Sequence, residues 1–100
     1  METTLKRVIK TFGEEAQMIV ALEELSELQK EITKHLRGKG DPRSIAEEIA
    51  DVEIMLEQLK LIFPYITDDI EEWKQAKIER IECICNAADL DNLINLNDRS

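Results

Sequence analysis

Glu24 with Glu27, and Glu48 with Asp51, form two acidic pairs of the same i, i+3 spacing. On a helix that spacing puts both side chains on one surface. Their neighbours make them unusual. At about 100° per residue, Met18, Ala21, Leu22, Leu25, Leu28 and Ile32 form one broad apolar face, with Glu24 inside its margin and Glu27 and Glu31 just beside it. Ile45, Ile49, Val52, Met55, Leu56 and Leu59 form a second, and Glu48 projects within that set. Asp51 lies at its border, with another apolar stripe of Ala50, Ile54 and Leu61 beyond. An unpaired carboxylate among apolar side chains costs several kcal/mol, so it is met by a proton, a basic partner or a cation. Converging carboxylates repel one another and attract divalent ions. An all-oxygen set suits magnesium, manganese or calcium rather than zinc. Helical di-iron sites use two Glu-x-x-His motifs, and this chain has one histidine, His35. By pattern alone Glu14, Glu15, Glu23, Glu53, Glu57, Glu71 and Glu72 read as solvated helix faces. The competing account of Glu48 is an ion pair with a lysine or arginine such as Lys34, in a plain helical bundle.

The elements that must carry these acids are marked by few breakers. Three glycines and two prolines occur in 100 residues. Gly13 follows a short helical segment, Leu5 to Phe12. A long helix is expected from Glu14 to Leu36. Arg37-Gly38-Lys39-Gly40-Asp41-Pro42 is a loop, with glycine to end one helix and proline to begin the next. Asp41 is one candidate N-cap; a capping box of Ser44 and Glu47 is the other. The third helix runs to about Phe63 and Pro64 ends it. Thr67 reads as an N-cap followed by Asp68, Asp69 and Glu71, opening a fourth helix to about Cys85. The polar stretch 86–100 reads as a tail in which Leu90, Leu93, Ile94 and Leu96 form a short helix or dock on a neighbour. The expected class is all-α. The short loop makes the second and third helices an antiparallel hairpin, so the two acidic pairs can face each other. The domain boundaries are 1–85 for the helical domain and 86–100 for the tail.

Charged residues are 35% of the chain and hydrophobic ones 43%, which excludes a disordered chain and a membrane protein. No apolar run approaches the roughly 20 residues of a membrane helix. No secretory h-region is seen, and a cytoplasmic location is expected. The net charge of −9 opposes binding to nucleic acid polymers and anionic membranes. One domain of this size has a modest core, which association would enlarge. Cys83 and Cys85 lack the further ligands that zinc needs, and they read as structural or incidental.

Glu23-Glu24-Leu25-Ser26-Glu27 and Glu48-Ile49-Ala50-Asp51 resemble the Glu-Glu-x-x-Glu and Glu-x-x-Asp motifs of the MazG-like nucleotide pyrophosphohydrolases. Phe12-Gly13-Glu14-Glu15-Ala16-Gln17 resembles the lead-in to the first motif, and the similarity spans roughly Leu5 to Arg80. The resemblance implies an all-α, magnesium-dependent enzyme, with manganese as a possible substitute. It implies cleavage of a nucleoside triphosphate, a dNTP foremost, to the monophosphate and pyrophosphate in nucleotide-pool house-cleaning. It further implies Glu24, Glu27, Glu48 and Asp51 as metal ligands, with Glu23 as an accessory acid. Lys77 and Arg80 share a face in a stretch that resembles the basic one following the motifs in relatives, and they are candidates for phosphate contact; the other account is ordinary surface charges paired with Glu79 or Glu82. Phe12, Gln17 and Trp73 are candidates for contact with the base. Assembly as a homodimer or homotetramer, with four-helix bundles built from two subunits, is also implied. The alternative is a non-catalytic, oligomeric helical interaction protein with a structural or regulatory metal site.

Overall fold

A computed structural model describes residues 1–99, with side chains described to Asn97. The chain forms α1 (Glu2–Phe12), α2 (Glu14–Leu36), α3 (Pro42–Ile62), a 3₁₀ turn (Pro64–Ile66) and α4 (Thr67–Arg99). There is no strand among the described residues. The chain divides into two compact units, Met1–Pro64 and a second that begins at Tyr65. The helical class and the hairpin are as expected.

In the first unit, each break has a local cause. Gly13 has φ +97°, a conformation that a side chain disfavours. Its N–H donates to the Ile9 carbonyl at 2.8 Å, and its own carbonyl accepts from the Gln17 N–H at 3.2 Å. One residue therefore closes α1 and opens α2. At the other end of α2, Gly38 takes φ +76°. Its N–H donates to the His35 carbonyl at 3.0 Å, and the Lys39 N–H donates to the Lys34 carbonyl at 2.9 Å. This is the Schellman pattern that satisfies a helix's last carbonyls. Asp41 then caps α3: its Oδ1 accepts from the Arg43 N–H at 2.9 Å, with Pro42 as the first helical residue. Of the two candidate caps, Asp41 is the one used.

α2 and α3 pack as an antiparallel hairpin, and α1 packs against both. The seam on α2 consists of Gln17, Ala21, Glu24, Leu28 and Glu31, all buried or half-buried. Their alternating spacing of four and three is that of a helix-pairing seam. Facing it on α3 are Glu48, Val52, Met55 and Leu59. This corrects the predicted apolar face. The seam is centred about 70° around α2 from the middle of the apolar set, toward the acids. Leu22, expected to be inward, is 67% exposed. Leu25, Ile32, Ile49 and Leu56 are exposed as well. The hydrophobic pattern is wider than one partner helix can cover, so a single chain buries only its edge. The buried apolar core is correspondingly small: Leu5, Ala21, Val52 and Met55.

The second unit is dominated by α4, which continues through Arg99 instead of ending near Cys85. No proline or glycine occurs in 86–99, and Asn and Asp each cost only about 0.7 kcal/mol or less within a helix. The apolar stripe does change there. Ile70, Trp73, Ile81 and Ile84 share one side, and at about 100° per residue Leu90, Leu93 and Ile94 project from the other. That switch ends the periodicity without ending the helix. Ser100, the last residue of the predicted tail, lies outside the described residues. No helix among the described residues is long and apolar enough to cross a membrane.

Candidate metal centre

The hairpin seam is interrupted by acids at one level. Glu24 enters it from α2, four residues before Leu28 and three after Ala21. Glu48 enters from α3, one turn before Val52. Asp51 stands beside Glu48 on the same surface. Each of these three half-buried residues offers a carboxylate oxygen, and the three oxygens lie within 4.8 Å of one another. Hard cations bind carboxylate oxygens at about 2.0–2.6 Å, so oxygens on opposite sides of one ion stand about 4–5 Å apart. All three oxygens are near enough to one another to reach a single ion.

The electrostatics are those of uncompensated charge. Glu48 Oε2 is buried and has no hydrogen-bond partner. No lysine or arginine bridges Glu24, Glu48 or Asp51 among the described residues. Lys34, the proposed partner of Glu48, instead pairs with Glu31 at 3.2 Å, one turn along its own helix. Desolvation raises the Glu48 pKa above the ordinary 4.5, and the charges of Asp51, Glu24 and Glu27 raise it further. Glu24 is raised in the same way, by desolvation and then by Asp51, which repels its charge and shares a hydrogen bond with it. These are neighbouring acids competing for protons. A bound divalent cation would remove the repulsion and partner the orphaned oxygen, so the donor set fits such an ion.

Not every expected ligand joins. Glu27 is exposed and is not among the three clustered residues. It lies about 60° around α2 from Glu24, outside the seam, and acts on Glu24 and Glu48 through its charge. Glu23 is exposed on the outer flank of the same turn. Gln17, expected to contact a base, is 7% exposed and lies on the same side of α2 as the other seam residues. Phe12 is exposed at the last position of α1. Trp73, Lys77 and Arg80 are on α4 in the second unit, all exposed. There the Lys77 ammonium stands 5.7 Å from the centre of the Trp73 ring, a cation–π contact. A shallow groove beside them is lined by Ile70, Trp73, Lys74 and Lys77. His35 is in the last turn of α2. Cys83 and Cys85 are free and exposed. One polar group was not singled out in the sequence: Ser26, Gln29, Lys30, Thr33, Lys34 and Arg37, which line a groove along α2. The density of cations between Lys30 and Arg43 is the signal that marks it.

The raised pKa values set a pH dependence. A carboxyl whose pKa is higher in the folded than in the unfolded state binds extra protons on folding, so its contribution to stability improves as pH falls. In metal-free protein, the penalty from Glu24 and Glu48 is full above their folded pKa values and is gone below 4.5. Divalent-ion affinity should weaken over the same descent, because protons compete for the oxygens. Melting curves in EDTA, compared with those of a Glu24→Gln, Glu48→Gln double variant to cancel the other carboxylates, should diverge most at neutral pH. Parallel pH profiles for the two proteins would contradict this.

Fold and site together define an all-helical protein with three carboxylates clustered at the seam of two antiparallel helices. No family model matches this chain, and searches of curated proteins and of solved structures returned no match.

Proposed function

We propose that the protein is a magnesium-dependent nucleoside triphosphate pyrophosphohydrolase acting on a dNTP in nucleotide-pool house-cleaning. The observation that carries this reading is the triad of Glu24, Glu48 and Asp51 around a buried carboxylate oxygen that has no partner. The paired motifs that resemble the MazG-like enzymes supply the reaction class. In this reading Glu24, Glu48 and Asp51 hold the cation, and Glu27 adds negative charge at the mouth of the site. When bound, magnesium supplies neutralisation of the triphosphate's charge. Glu23, exposed beside the triad, accepts a proton from the attacking water. The water oxygen bonds to the α-phosphorus, the bond from that phosphorus to the bridging oxygen breaks, and pyrophosphate leaves. Lys77 and Arg80 remain the candidate phosphate contacts from the resemblance, and Trp73 the candidate for stacking on the base. The expected assembly is a homodimer or homotetramer with four-helix bundles. Leu22, Leu25, Ile49, Ile54 and Leu56 support it, because these apolar side chains stay exposed in a single chain.

The test is incubation with each NTP and dNTP plus magnesium, reading pyrophosphate release with and without EDTA. Turnover of at least one nucleotide, abolished by EDTA, is expected. A second reading keeps the metal but not the reaction. It is favoured by the pairing of Lys34 and Lys60 with Glu31 and Glu57, which ties up cations of the first unit. If magnesium raises the melting temperature while every nucleotide stays intact, the non-catalytic metal protein is correct.

A further inference from the structure

α2 carries a basic face next to its acidic one. Ser26, Gln29, Lys30, Thr33, Lys34 and Arg37 line an open groove of 470 Å³. At about 100° per residue, Ser26, Lys30, Thr33 and Arg37 fall in a stripe about 60° wide, and Lys34 flanks it on the side of Glu27. Five cations and two anions lie between Lys30 and Arg43, a local excess of three positive charges in a chain of net charge −9. Both local anions are engaged: Glu31 with Lys34, and Asp41 with the first turn of α3. Lys30 and Arg37 are exposed and have no carboxylate within 4.0 Å among the described residues.

The chemistry of this face is that of an anion receptor with several contact points. Lys30 and Arg37 stand two turns apart, about 10 Å along the axis, so one small anion does not span them. Ser26 and Gln29 add neutral donors at the near end. The Thr33 hydroxyl is already committed to the Gln29 carbonyl at 2.8 Å. The negative end of the helix dipole opposes an anion here, but it amounts to about half a charge against two unpaired unit charges. Its last carbonyls are also satisfied by the Gly38 and Lys39 amides. A nucleic acid polymer would have to lie against the remaining surface, which holds the excess of acid. A short polyphosphate would not.

We infer that this groove binds the polyphosphate group of a small ligand. Lys30 lies on α2 and Arg37 is its C-cap, and the groove they line is centred about 150° around the helix from Glu24, so this site is separate from the acidic triad.

The probe is inorganic pyrophosphate in EDTA at low salt, followed by calorimetry. The variants are Lys30→Ala with Arg37→Ala, and Lys6→Ala as a control on α1. Saturable binding that weakens about tenfold or more in the double variant, and not in the control, is expected from the loss of charged hydrogen bonds. Equal binding by wild type and double variant would overturn the inference. So would tighter binding of a single-stranded oligonucleotide than of pyrophosphate at the same groove. Circular dichroism confirms that these surface variants fold. Nucleotide assays with magnesium separate the two proposals. Pyrophosphate binding lost in the double variant, with no nucleotide hydrolysed by wild type, keeps this site and removes the enzyme. Hydrolysis by wild type, with pyrophosphate bound equally by wild type and double variant, keeps the enzyme and removes this site.

Discussion

Glu48→Gln should yield a protein that melts at a higher temperature than wild type in EDTA and is no longer stabilised by magnesium. Both effects follow from the same atom. Glu48 Oε2 is buried without a hydrogen-bond partner, and the carboxyl sits among Asp51, Glu24 and Glu27. A glutamine keeps the shape and removes the charge. Its amide N–H can donate to the neighbouring carboxylates, which turns a repulsive contact into an attractive one. The same change removes a ligand oxygen and the negative charge that a divalent ion requires. Hydrolysis, in the reading proposed here, should fall on the order of 10²-fold or more, the scale seen when one preorganised charge-stabilising group is deleted. Thermal melts with EDTA and with magnesium, alongside pyrophosphate release, give three readings of one substitution. A variant that keeps its magnesium-induced rise in melting temperature would show that Glu48 is not a ligand. A variant less stable than wild type in EDTA would show that the carboxylate is compensated in solution.

Met55→Ala should cost about 2–5 kcal/mol, as large-to-small changes in tight cores do. Met55 is 6% exposed and is the largest member of a buried apolar set completed by Leu5, Ala21 and Val52. It also accepts from the Gln58 Nε2 at 3.6 Å, and Gln58 is itself buried with its Oε1 unpartnered. Truncation therefore opens a cavity and strips a buried amide of its contact. A unit of about 64 residues commonly has only about 3–10 kcal/mol in total, so this loss is a large fraction of the first unit's stability. Met55→Leu conserves volume and should cost less than about 1.5 kcal/mol. Because Met55 follows Asp51 by one turn of α3, the alanine variant should lose magnesium binding along with its fold. Saturating magnesium should recover part of the stability by mass action. Urea titrations followed by circular dichroism measure all of this. A loss under about 0.5 kcal/mol would mean that the α2–α3 seam is not what holds the unit together.

The helices and their ends were legible in the sequence because the signals are local. Gly13, the Gly38–Pro42 loop and Pro64 act through backbone conformation and missing N–H groups, which depend on a few adjacent residues. The boundaries of α2 follow directly from them. The continuation of α4 was not legible. Its apolar stripe changes sides after Cys85, and periodicity reads a change of face as an end. The two acidic pairs were visible as charges set into apolar faces, with Glu24 inside its margin and Glu27 beside it, yet the resemblance implied both as ligands.

Only packing separates them. The hairpin turns both helices toward their acids, α2 by about 70° and α3 by about 40°, so Glu24, Glu48 and Asp51 enter the seam and Glu27 stays in solvent. The same rotation buries Gln17 and leaves Leu22 uncovered. Hydrophobic periodicity sums over every partner a helix meets, whereas in the first unit α2 packs against α1 and α3. The residue types alone determined that this protein is helical, acidic and equipped with carboxylates in apolar surroundings. Which of those carboxylates meet, and which apolar side chains remain exposed, was decided by the angle at which two helices pack. That angle depends on the shapes of both surfaces at once.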